Sequence, residues 1–112
     1  MSVAISADAR WVAAGGSDWN VRLWDMNSKK LAAELAGHRG IVYAVAFSAD
    51  GKTLATGSGD ETIRFWNLES RRATETLRGH NSGVTCIAFT PDNRQLVSGA
   101  LDGPVRIWNL AP

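Results

Sequence analysis

Apolar and polar side chains alternate along this chain in runs of four to seven residues, and nearly every run is closed by a cluster of Gly, Asp, Asn or Ser. In the middle of the sequence, Ile41–Phe47 alternates and stops at Ser48-Ala49-Asp50-Gly51. There Asp50 can accept backbone hydrogen bonds and Gly51 can take a positive φ. Leu54–Gly57 follows, Gly59-Asp60-Glu61 turns, and Thr62–Asn67 and Arg72–Leu77 complete the set. Short alternating runs separated by turn residues predict antiparallel strands. No stretch keeps a 3.6-residue period over the roughly 10 residues a globular helix needs, so the chain is expected to be all β.

The pattern then repeats. RLWD at 22–25, RFWN at 64–67 and RIWN at 106–109 set Trp24, Trp66 and Trp108 at intervals of 42 residues. Asp18, Asp60 and Asp102 keep that interval, as do Gly37-His38 and Gly79-His80, with no insertion or deletion. A fixed period of this length marks one supersecondary unit repeated in space. The units run over about 1–36, 37–78 and 79–112. Lettered a to d from the inside out, the first unit has Val3–Ser6, Trp11–Ala14, Val21–Asp25 and Lys30–Leu35. The third has Val84–Phe89, Gln95–Ser98 and Val105–Asn109, and its outer strand is missing. A four-stranded sheet leaves both faces wet until copies stack on it, and radial stacking also protects sheet edges. The expected fold is therefore an incomplete β-propeller of about three four-stranded antiparallel blades.

GHRGIVYAVAFSADGKTLATGSGDETIRFWN and GHNSGVTCIAFTPDNRQLVSGALDGPVRIWN, with VAISADARWVAAGGSDWNVRLWD as a unit without its GH head, resemble the WD40 repeat family over essentially the whole chain. The resemblance implies a buried hydrogen-bond relay in each blade: His38, Thr56, Asp60 and Trp66 in the second, and His80, Ser98, Asp102 and Trp108 in the third. The residue types suit it. Trp offers one N–H, Ser or Thr both accepts and donates, His relays through two nitrogens, and Asp accepts at the end. The first blade departs from the pattern, because Ala14 stands at the hydroxyl position and no histidine precedes it. It is expected to be the weakest. The relay would bring the d–a loops and the b–c turns to one end, which in the family is the main recognition face. Side chains there outside the relay are the candidate partner contacts: Ser17, Trp19 and Glu61, then Leu101, Tyr43 and Thr85. Trp19 stands out, since its counterparts are Glu61 and Gly103. Trp11, opposite Thr53 and Gln95, is expected at the other end or on a sheet edge.

Composition narrows the function. Twelve Lys and Arg against 11 Asp and Glu give a net charge of +1, which does not attract nucleic acid, and Arg71-Arg72 reads as a solvated loop. A His–Asp pair could be a base with its orienting carboxylate, but no nucleophile recurs beside it. His38, His80 and Cys86 are too dispersed for zinc. AGGSD and TGSGDET lack the strand-to-helix context of a phosphate loop. No catalytic residue, metal or cofactor is expected. Cys86, between Thr85 and Ile87, reads as a small buried strand residue and fits a reducing compartment. No apolar run reaches a membrane span and MSVAISADAR is not a signal peptide, so the expected location is cytoplasmic.

The function expected is a scaffold or adaptor that binds a protein or peptide on the loop-bearing end. The alternative is an architectural unit that completes a larger propeller. Rings contain about four to eight blades and three cannot close one, so the expected partners include a second copy or other propeller blades.

Overall fold

The structure is a computed structural model that describes residues 2–110. Eleven strands form three antiparallel sheets. The first blade contains β1 (Ser2–Ile5), β2 (Trp11–Gly15), β3 (Val21–Asp25) and β4 (Lys30–Leu35), hydrogen-bonded in chain order. The second contains β5 (Val42–Phe47), β6 (Thr53–Ser58), β7 (Thr62–Asn67) and β8 (Arg72–Arg78). The third has β9 (Val84–Phe89), β10 (Gln95–Ala100) and β11 (Val105–Asn109), and no outer strand among the described residues. The sheets do not close into a ring, and every regular element among the described residues is a strand.

The period-2 alternation gives each sheet a forward face and a backward face. On the forward face of the first blade, Ala13, Val21 and Leu23 are fully buried against Val45, Leu54 and Trp66 on the backward face of the second. The next seam repeats this, with Ala55, Ile63 and Phe65 packed on Val84 and Leu96. Each fully buried Leu, Ile or Val here contributes about 1.5–3 kcal/mol. Close approach needs glycine on the inner side, since a Cβ at Gly57 would lie 2.7 Å from Val84 Cγ1. Cores therefore lie between blades rather than within them, as in other stacked-repeat folds.

The outermost faces are open. Val3 and Ile5 on the backward face of the first blade are each 63% exposed, and Ile107 on the forward face of the third is 64% exposed. Cys86 lies on that same forward face, paired with Gly99, and is exposed rather than buried. Its counterpart Ala44 is buried because a third sheet covers it, whereas no sheet covers Cys86.

The turns repeat as faithfully as the strands. Ser6, Ser48 and Thr90 each donate a hydroxyl to an aspartate two residues on, Asp8, Asp50 and Asp92. The b–c turns share a left-handed position, held by Trp19 (φ 73°), Glu61 (φ 74°) and Gly103 (φ 101°).

Candidate functional site

In the second blade the relay is complete and runs in one direction. Trp66 Nε1–H donates to Thr56 Oγ1 at 2.9 Å, and Thr56 Oγ1 lies 2.6 Å from His38 Nε2. His38 Nδ1 lies 2.9 Å from Asp60 Oδ2. The indole can only donate, so the Thr56 hydroxyl donates its hydrogen bond to Nε2, and the Nδ1–H tautomer of His38 donates to Asp60. Burial pushes the His38 pKa down against the pull of Asp60, which keeps the ring neutral at pH 7. Burial works against ionisation of Asp60 too, but donation from Thr62, the Arg39 amide and His38 holds its pKa at about 2. Asp60 takes the Thr62 hydroxyl at 2.6 Å and the Thr62 and Arg39 amides at 2.9 Å each.

In the third blade the relay stops one residue short. Trp108 Nε1–H donates to Ser98 Oγ at 2.8 Å, and Ser98 Oγ meets His80 Nε2 at 2.7 Å. Asp102 does not bond to His80, whose Nδ1 is buried without a partner. The reason lies two residues on, where Pro104 replaces Thr62. Proline has neither the amide N–H nor the hydroxyl that orient Asp60. The Asp102 amide instead donates to Ser82 Oγ at 3.1 Å, and its side chain is exposed. Burial and Arg106 together lower the His80 pKa, against the attraction of Asp102.

The first blade has no relay. Asp18 is exposed and pairs with Arg22 at 2.6 Å, and Arg22 also reaches Glu34 at 3.0 Å. Opposite the relay end, the structure assigns a role to Trp11 and to one of the paired arginines. Trp11 is buried with Arg10 stacked on its ring at 4.6 Å and Arg71 at 5.2 Å. Arg71 donates from Nε to the Leu68 carbonyl at 2.7 Å and from Nη1 to the Ala32 carbonyl of the first blade at 3.1 Å. It is therefore a clasp across the first seam and not a solvated residue, while Arg72 is exposed. Sequence reasoning missed the clasp because its partners are backbone carbonyls. A Trp at the head of strand b where the other blades have Thr53 and Gln95 was the available signal.

The loop-bearing end carries the candidate partner residues, and they are not equivalent. Trp19 is 48% exposed on the first blade's b–c turn, beside the exposed Ser17. Leu101 is 67% exposed on the third blade's turn, and Glu61 is exposed on the second. Tyr43 is half-buried and, like Leu101, closes over Gly83, where a Cβ would lie 3.2 Å from Leu101 Cδ1 and 3.4 Å from the Tyr43 ring. Gly83 is thus a shaping residue for this end that carries no motif of its own. Thr85 turns inward and donates its hydroxyl to the Gly99 carbonyl at 3.4 Å, which leaves it little to offer a partner. A groove of about 530 Å³ lies elsewhere, between the second and third blades, floored by Phe65, Phe89 and Leu110. It is the outer end of the second seam.

Three stacked sheets, one of them locked by a Trp–Thr–His–Asp chain, define a β-propeller repeat protein. The chain belongs to the WD40 family, whose "WD domain, G-beta repeat" pattern matches residues 1–25, 29–67 and 71–109. As a WD40 protein it is a protein-interaction module, in a family of generally non-catalytic scaffolds. It is similar to the "U3 snoRNP-associated protein-like YAOH" of Oryza sativa subsp. japonica, 40% identical over 42 residues that cover 38% of this chain and 8% of that protein. The "U3 snoRNP-associated protein-like EMB2271" of Arabidopsis thaliana is likewise 40% identical over 42 residues, covering 38% of this chain and 9% of that protein. The matched segment has the length of one repeat and is less than a tenth of either relative.

Proposed function

We propose that the chain is a scaffold or adaptor that docks a protein or peptide on the end formed by its d–a loops and b–c turns, with Trp19 as the anchor. The observation that carries this reading is the exposure of Trp19 in a left-handed turn that the second blade builds with Glu61 and the third with Gly103. The turn does not require an aromatic, and a left-handed non-glycine residue costs roughly 1–2 kcal/mol. Exposed aromatics of this kind are the side chains that dominate binding energy at protein interfaces. Peptides selected on the immobilised wild-type chain are expected to lose at least about tenfold in affinity on Trp19→Ala, equivalent to about 1.4 kcal/mol, and less on Glu61→Ala. Circular dichroism should show both variants folded. Unchanged affinity of every selected peptide for Trp19→Ala would remove the anchor.

A second reading is favoured by the two open lateral faces. The apolar rows that pack at both internal seams are exposed at Ile5 and Ile107. They suit a unit that joins further blades.

A further inference from the structure

We propose that the cavity beside Trp11, at the end of the first seam opposite the relay, binds a phosphoryl dianion carried on a serine or threonine of a partner chain. It lies away from the face assigned to Trp19 and stands or falls independently of that reading.

The cavity has a volume of about 420 Å³, and the charged groups on its wall are Arg10, Lys52, Arg71 and Glu69. Three cations against one carboxylate leave a net charge of +2. Among the described residues none of the three cations makes an ion pair. Asp8 and Asp50, close to Arg10 and Lys52 in sequence, do not line the cavity. Each is tied into its own turn, Asp8 by the Ser6 hydroxyl and the Arg10 amide, Asp50 by the Ser48 hydroxyl and the Lys52 amide. The charge is particular to this seam. At the same end of the second seam the groove wall carries Asp50, Glu75 and Asp92 against Arg94, and Thr53 stands where the first blade has Trp11. The repeat by itself therefore does not call for a cationic cavity.

Two of the cations are held by groups that carry no net charge, so they are ordered without being neutralised. Arg71 is fixed by the Leu68 and Ala32 carbonyls, and it and Arg10 lie over the Trp11 ring at 5.2 and 4.6 Å. An indole face attracts a guanidinium and leaves its N–H groups free. The carbonyls take Nε and Nη1 of Arg71, which keeps Nη2 for a ligand. Two planar guanidinium forks and an ammonium suit a tetrahedral oxyanion with three acceptor oxygens. A phosphoryl group on a hydroxyl carries about −1.5 to −2 at pH 7, which matches the wall, whereas a carboxylate brings one charge and two oxygens. A polynucleotide would need such charge along a track, and the next groove at this end is acidic. A single phosphorylated side chain needs one cavity.

Heteronuclear NMR and calorimetry of the full chain at low ionic strength test this with a capped alanine pentapeptide bearing phosphoserine at its centre, its serine and glutamate counterparts, and inorganic phosphate. The phosphoserine peptide is expected to bind, to shift the indole N–H signal of Trp11 while leaving that of Trp66 in place, and to weaken as salt is added. Arg10→Gln and Lys52→Gln should each weaken binding about tenfold. Glu69→Gln, which removes the carboxylate from the wall, should tighten it, and Arg72→Gln, outside the cavity, should leave it unchanged. All four positions are exposed, so the variants should fold normally. The Glu69 variant also guards the test, because damage to the fold cannot raise affinity. The proposal is overturned if no probe shifts Trp11, if Arg10→Gln combined with Lys52→Gln binds as the wild type does, or if the serine or glutamate peptide binds as tightly as the phosphoserine one. Inorganic phosphate binding as tightly as the phosphoserine peptide would make free phosphate the ligand and overturn the partner chain.

Discussion

The second and third blades carry His, Asp, Trp and a hydroxyl residue at the same spacing, and only one of them closes the relay. In the second, Asp60 is fixed by the Thr62 hydroxyl and two amides as it accepts the hydrogen bond from His38 Nδ1–H. In the third, Pro104 supplies neither the hydroxyl nor the amide that Thr62 gives, and Asp102 is exposed, leaving His80 Nδ1 buried and unpaired. The carboxylate is therefore a bonded member of the relay only when something else aims it. A buried polar chain is strong when complete and costly when broken, so the two blades should differ in how much their Asp matters.

The largest expected effect comes from breaking the complete relay. Asp60→Ala leaves His38, Thr62 and the Arg39 amide without their acceptor and should destabilise the chain by about 3 kcal/mol. Asp18→Ala and Asp102→Ala, on exposed carboxylates, should each cost far less than Asp60→Ala. Urea unfolding of the three variants checks the ranking, and equal losses for Asp60 and Asp102 would erase the difference between the blades.

Acid should reproduce part of that loss without mutation. Asp60 is lowered from an ordinary 3.8 to about 2, so its contribution is fully present above 3.8 and disappears as pH falls through about 2. It amounts to about 2 kcal/mol. His38 and His80 are lowered from 6.5. The unfolded chain therefore takes up their protons first, and stability begins to fall as pH drops below 6.5. Melting temperature followed from pH 7.5 to 2 should show both limbs. In His38→Gln with His80→Gln, the upper limb should flatten while the chain as a whole loses stability. An unaltered upper limb would mean that other groups titrate there.

The smallest effect sharpens the comparison by repair. Pro104→Thr restores an amide and a hydroxyl beside Asp102 and should let the carboxylate reach His80. The expected gain is about 1 kcal/mol, after loss of the stiffness proline gives the unfolded chain. Loss of stability in a thermal scan would show that Pro104 is not what holds Asp102 away.

Strand positions and blade order were legible because alternation and turn chemistry repeat in phase three times, and all three sheets follow them. The second-blade relay was legible for the same reason. Asp102 was misread because the motif names the acceptor and not the donors that orient it, although Pro104 was in plain sight. Cys86 was misread because alternation says which face a side chain points to, and not whether another sheet covers that face. The first blade's poor relay was legible from Ala14 alone. Arg71 was not, since its backbone partners come from a segment 39 residues away.

That arginine also gives the stack a direction of opening. Its guanidinium spans the first seam, bonded to Ala32 on the outer strand β4 and lying over the Trp11 indole. To peel the first blade from the second, a cation held to its own blade by the Leu68 carbonyl must leave the Ala32 carbonyl and the Trp11 face together. Among the described residues the second seam has no arginine clasp, only the exposed bond from the Ala49 amide to Asn93 Oδ1 at 2.8 Å, and its third sheet lacks an outer strand to shelter β11. In a linear stack held by neighbour-to-neighbour interfaces, opening starts at the least fastened end. Amide hydrogens of β10 should thus exchange ahead of those of β2, although the first blade is the one without a relay. The reverse order would show that the relay, and not the clasp, sets the path by which the chain comes undone.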